Sequence, residues 1–259
     1  MRSLDTLDLR SLQPAEKTDL CVPAVLGYTA ASWCEALRSS GPIVQLNLDN
    51  QPCVAISSTA ANQLAWRNPD NWSYRDTDFS TIFRTQLGPD HVTILDGEPH
   101  RRLRKLILPG FGAAALRRDM QTTYTTIAQE LENHAGQHTD LYVLACQIMA
   151  KALNKTQIKT AISPPVLTSL CSFEEEFIAG LQLRPEQQSQ WFARPAYQQV
   201  RGVAFEFFNQ IFTVRSQGAR RNDSLDIILS RSETSEFEPL SRTEIIESIY
   251  LLSVAGVGN

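Results

Sequence analysis

From about residue 96 to the end of the chain, apolar residues return every three or four positions and almost never every second one. That is the period of a helix face, and it leaves little sequence from which a large sheet could be built. Met120, Tyr124, Ile127 and Leu131 form one such stripe. Leu141 to Leu153 is apolar nearly all round, the pattern of a buried helix. Pro164-Pro165 opens another helix that fades near Gly180. Val200, Val203, Phe207, Ile211 and Val214 mark a long helix stopped by the polar stretch Ser216 to Ser224, and Leu225 to Leu229 makes a short one. Ser241-Arg242-Thr243-Glu244 is a capping box opening the run Ile245, Ile246, Ile249 and Leu252.

Only the N-terminal part reads differently. Ile43 to Leu48 alternates, Asp49-Asn50-Gln51 turns, and Pro52 to Ile56 is extended again, which predicts a hairpin. Ser57-Ser58-Thr59 supplies a helix cap, and the helix should stop near Asn68 because the residue before Pro69 disfavours helical backbone. Trp72 to Ile94 has weak periodicity and reads as a long loop with one helical turn at most; loops of that length usually have a function. The expected fold class is therefore mainly α with a small N-terminal β region.

Composition excludes several classes. With 259 residues, 42% of them hydrophobic, the chain can bury a core and is not disordered. The first twenty residues carry charges throughout and resemble neither a signal peptide nor an anchor, and no run of about 18 apolar residues occurs elsewhere. The five cysteines, Cys21, Cys34, Cys53, Cys146 and Cys171, show no framework spacing, so reduced thiols and a cytoplasmic location are expected.

The most informative stretch is Asp96-Gly97-Glu98-Pro99-His100-Arg101-Arg102-Leu103-Arg104-Lys105-Leu106-Ile107. Asp96 can cap it, Pro99 suits a first turn, and Pro109-Gly110 ends it. Leu103, Leu106 and Ile107 make an apolar edge, while His100 and Arg104 stand one turn apart on a common face. Spacing alone favours a solvated basic face. It also admits phosphate contact with nucleic acid, against which stands a net charge of -4, and a clamp for a small dianion built from two charge-assisted hydrogen bonds.

LDGEPHRRLRKLILPGF resembles the C-helix stretch of bacterial cytochromes P-450, where a His-x-x-x-Arg pair binds the haem propionates. The resemblance maps that role onto His100 and Arg104. SSGPIVQLNLDNQPCVAISSTAANQLAWRNPDNWS resembles the family's first helix end, β-hairpin and B helix, and residues 230–259 resemble the approach to the I helix. The weak loop before Asp96 falls where the family keeps its substrate-contacting B–C loop. These landmarks, in order, favour the haem clamp over a solvated face. They imply a cytochrome P-450 fold over residues 1–259 as an incomplete domain, cut within the I helix.

In the family an Ala-Gly-x-acid-Thr motif crosses the haem; Ala255 and Gly256 match it, whereas Gly258 and Asn259 stand where the acid and the threonine would be. That departure puts the usual proton relay in doubt. The family's Glu-x-x-Arg helix and Phe-x-x-Gly-x-x-x-Cys loop are missing, so no residue is expected to ligate a metal, and the chain as written should be inactive. The resemblance implies, for an intact parent, a haem-dependent monooxygenase acting on a small organic substrate. Its redox partners would be of the ferredoxin and reductase type, and no nucleic-acid or membrane partner is expected. The competing reading is a truncated, decayed or merely binding half-domain. His134 and His138 read as a solvated helix end, Asn154-Lys155-Thr156 as a sequon by letter only, and Glu174-Glu175-Glu176 as a wet helix face.

Overall fold

A computed structural model describes residues 43–48, 51–56, 59–67, 73, 77–183, 185–218, 220–234 and 236–255. It divides into two compact units, residues 1–73 with 182–184, and residues 74–181 with 185–259. In the first unit, strands β1 (Ile43–Leu48) and β2 (Gln51–Ile56) pair antiparallel, with Leu48 opposite Gln51 and Ile43 opposite Ile56. Helix α1 (Thr59–Arg67) follows.

The second unit is helical among its described residues. Its order is α2 (Asp78–Gln86), a 3-10 turn (Val92–Ile94), α3 (Gly97–Ile107), α4 (Ala113–Asn133), α5 (Leu141–Gln157), α6 (Pro164–Leu181), α7 (Pro185–Phe192), α8 (Pro195–Ser216), α9 (Ser224–Ser232) and α10 (Arg242–Ser253). The core lies where α6, α8 and α10 meet. Phe173 and Phe177 of α6, Tyr197 and Phe208 of α8 and Tyr250 of α10 are buried there; Phe173 and Phe177 stack, and the contacts between helices are edge-on or tilted. Gly180 permits α7 to dock, since a β-carbon there would overlap the rings of Phe192 and Trp191.

Three expectations need correction. The segment before Asp96 is not a loop with one turn: α2 occupies Asp78–Gln86, capped by the Thr77 side chain, which accepts from the Ser80 N–H. Its Phe79, Ile82 and Phe83 have helical spacing, and Ile82 and Phe83 enter the core. The α4 stripe, whose side the sequence left open, faces outward, with Met120 55% and Tyr124 64% exposed, while Asp119 and Thr126 on another face are buried. The second correction falls on Leu141 to Leu153, expected to be buried all round: the start of α5 is open at Leu141, Tyr142 and Val143. Periodicity reveals an apolar face without saying which neighbour covers it. Finally, Glu174 is not on a wet face. It is 2% exposed and accepts a 2.8 Å hydrogen bond from the Tyr250 hydroxyl.

Candidate functional site on the basic helix

Helix α3 starts at Gly97, which takes φ +61°, with Asp96 in the N-cap position but making no side-chain cap bond. Leu103, Leu106 and Ile107 are buried and fix the helix's rotation, so His100 is left half-buried and Arg104 exposed beside it. Not all of the cations face water alone. Arg102 pairs with the Glu244 carboxylate of α10 and donates to the Glu238 carbonyl at 3.0 Å. Arg101 Nε donates to Glu98 Oε2 at 3.1 Å. Among the described residues no acid pairs with Arg104 or Lys105.

Partial burial lowers the His100 pKa, the Arg104 and Arg101 charges push the same way, and Asp96 opposes them. At neutral pH the pair is thus one fixed cation and one neutral imidazole that gains from a proton once an anion arrives. An anion spanning two carboxylates suits it: Arg104 offers a charged fork, and His100 a donor one turn away.

Across from α3, helix α10 opens with the full capping box. Ser241 Oγ accepts from the Glu244 N–H at 3.1 Å, and Glu244 Oε2 accepts from the Ser241 N–H at 2.8 Å. Its far end is fixed by a buried polar clasp. Asn154 of α5 donates to the Ser253 carbonyl at 3.0 Å and accepts from the Ser253 hydroxyl at 2.9 Å. Asn154 has no exposed surface, so the sequon is structural. The clasp sets the direction in which the chain leaves the helix at the half-buried Ala255. Gly256, Gly258 and Asn259 lie outside the described residues.

The chain superposes on retinoic acid-bound cyanobacterial CYP120A1 with a TM-score of 0.66 at 20% identity, over 88% of this chain and 52% of that one. This chain has the cytochrome P-450 fold. It spans about half the length of the solved P-450 it matches. No protein-family profile and no curated protein matches the sequence.

A P-450 fold implies haem, and the residues present fit the two halves of that group unequally. The carboxylate half of haem fits His100 and Arg104. The iron does not find a partner among the described thiols: burial pushes the Cys171 thiol up to about 12, so it stays protonated at neutral pH, and Cys146 is buried in the helix interface. Cys21 and Cys34 lie outside the described residues, as does the Cys53 side chain. No group of three or more metal-ligating side chains forms among the described residues. Among them also, no helix is long and apolar enough to cross a membrane.

Residue-by-residue reading missed a second cluster. His91 and Glu247 line a narrow crevice, too tight for a water molecule, that Val92, Leu103, Ile107, Ser248 and Leu251 complete. Its one sequence signal was the acid that interrupts the apolar run of α10.

Proposed function

We propose that this chain is a P-450-type fragment in which His100 and Arg104 hold the propionates of a haem, the intact parent being a monooxygenase of small organic substrates. The observation that carries the reading is the His100–Arg104 pair, one turn apart on α3 of a P-450 fold, with no acid ion-paired to Arg104 among the described residues. Haem, when bound, would supply the oxygen chemistry. The chain's own part is to anchor and orient. Arg104 supplies a permanent charge for one carboxylate. His100, neutral beforehand, donates to the other and takes up a proton as it does so. Ala255 and Gly256 would leave room above the macrocycle, with Gly258 and Asn259 in place of the family's acid and threonine. The substrate side falls to residues of the segment before Asp96, and electrons would come from ferredoxin-type partners.

The high pKa of Cys171 supports a second reading, a half-domain that binds porphyrin and performs no redox chemistry. Haem titration of the full chain tests the anchoring directly. Loss of one charge-assisted hydrogen bond is worth roughly 1.5–3 kcal/mol, about 10- to 150-fold in affinity. Arg104→Ala should weaken haem by that factor and leave haem dimethyl ester, which lacks the carboxylates, unaffected. Equal weakening for both porphyrins, or none for either, removes the assignment.

A further inference from the structure

The segment between α2 and α3 is fastened to α10 at one carboxyl. Gly88 takes φ +150°, and a β-carbon there would collide with Oε1 of Glu247. Two residues on, the Asp90 N–H donates to the same Oε1 at 3.2 Å. The other oxygen, Oε2, is buried and has no hydrogen-bond partner among the described residues. His91, 2% exposed, is in the same condition. Its Nδ1 accepts from the Thr93 N–H at 3.3 Å, which leaves the proton on Nε2, and Nε2 is also without a partner. Both orphan groups face the crevice over Leu103, Ile107 and Leu251, which has no room for a water molecule unless a wall moves. A closed state that leaves two polar groups unsatisfied is poised against an open state in which water would satisfy both.

We propose that residues 88–92 form a flap over α10, latched by the uncharged carboxyl of Glu247 and released when that carboxyl gives up its proton. The latch holds only while the acid is neutral, because a carboxylate would sit in an apolar crevice with one backbone N–H for company. Its surroundings offer no countercharge. On the flap side Asp90 is acidic and His91 neutral; on α10 Glu244 is acidic and already committed to Arg102 of α3. Burial, aided by Asp90 and Glu244 and opposed by the Asp90 N–H bond, pushes Glu247 up to about 8. On the other side His91 meets the rings of Phe83 and Tyr250, at 5.3 and 5.7 Å, and no charge.

Opening uncovers Leu103 and Ile107, which lie about 60° and 20° around the α3 axis from His100. The flap therefore borders the face proposed above to hold haem, yet it needs no haem to operate.

With a carboxyl near 8 when closed and near the ordinary 4.5 when open, loss of the Glu247 proton favours opening as pH rises, and the gain levels off above 8. His91, held at about 4 when closed and near 6.5 when open, works the other way below 6.5, so the Glu247 latch is read above that value. Hydrogen exchange of the Asp90 amide in the full chain reads this out. After correction for intrinsic exchange, its protection should fall roughly fourfold per unit from pH 6.5 to 7.5 and flatten above 8. In Glu247→Gln it should not fall over that range. Protection that does not change with pH in the parent, or an unchanged slope in the variant, overturns the latch. Should the variant fail to fold, carboxyl carbon NMR of the parent decides: a Glu247 titration midpoint below 6 overturns it, and one above 7 supports it.

Discussion

Arg215, at the C-terminal end of α8, is 3% exposed, and its removal should be among the most damaging single changes in the chain. Nη1 donates to Asp226 Oδ1 at 2.6 Å, and Nη2 to the Asp223 carboxylate and to the Ile158 carbonyl, the latter at 2.5 Å. One guanidinium therefore ties the end of α5 and the first turn of α9 to α8. Both acids are buried, Asp223 completely. Arg215→Met keeps most of the side-chain volume and strands two carboxylates and a carbonyl. Breaking a buried pair from one side costs about 3–5 kcal/mol. Some relief remains, because Asp223 still caps α9 through the Asp226 N–H at 2.9 Å and Asp226 still accepts from the Asn222 N–H at 2.5 Å. A loss of about 3 kcal/mol is expected. Urea unfolding followed by circular dichroism should show the midpoint falling by about 1.5 M for a slope near 2 kcal/mol/M. The triple variant Arg215→Met, Asp223→Asn, Asp226→Asn removes the stranded charges and should recover at least half of the loss. A single-variant loss under about 1 kcal/mol would refute the reasoning, and so would a triple variant no more stable than the single one.

Two further outcomes are expected. Burial lowers His91 from 6.5 to about 4, so the folded chain binds fewer protons than the unfolded one across that window. Stability should be full above 6.5 and fall by up to roughly 1.4 kcal/mol per unit as pH drops toward 4. His91→Phe should flatten that acid limb in denaturation curves measured at several pH values, and an unchanged limb would assign it to other groups. Gly180→Ala forces the added carbon against Phe192 and Trp191, so a cost of about 1–3 kcal/mol is expected from overpacking. The ring signals of Phe192 and Trp191 should shift in NMR spectra; a variant as stable as the parent would mean that α7 is not seated on α6 as described.

Much of the helical unit was legible because its signals are local. Ser241 and Glu244 needed only a separation of three positions to make a capping box, and a pitch of 3.6 residues puts His100 and Arg104 on one face wherever α3 goes. The N-terminal cap and spacing of α2 were equally local but were masked by the polar residues around them. What no local pattern could supply is which face is covered and which charges meet. The α4 stripe is open while Asp119 and Thr126 are inside, Glu174 finds Tyr250 from 76 positions away, and Asp90 reaches Glu247 across 157. The order of residues decided where the helices begin, how they turn and what each face carries. Only the packing of helices distant in sequence decided the environment of His91, Glu247 and Arg215, because burial and charge pairing belong to surroundings assembled from several elements at once.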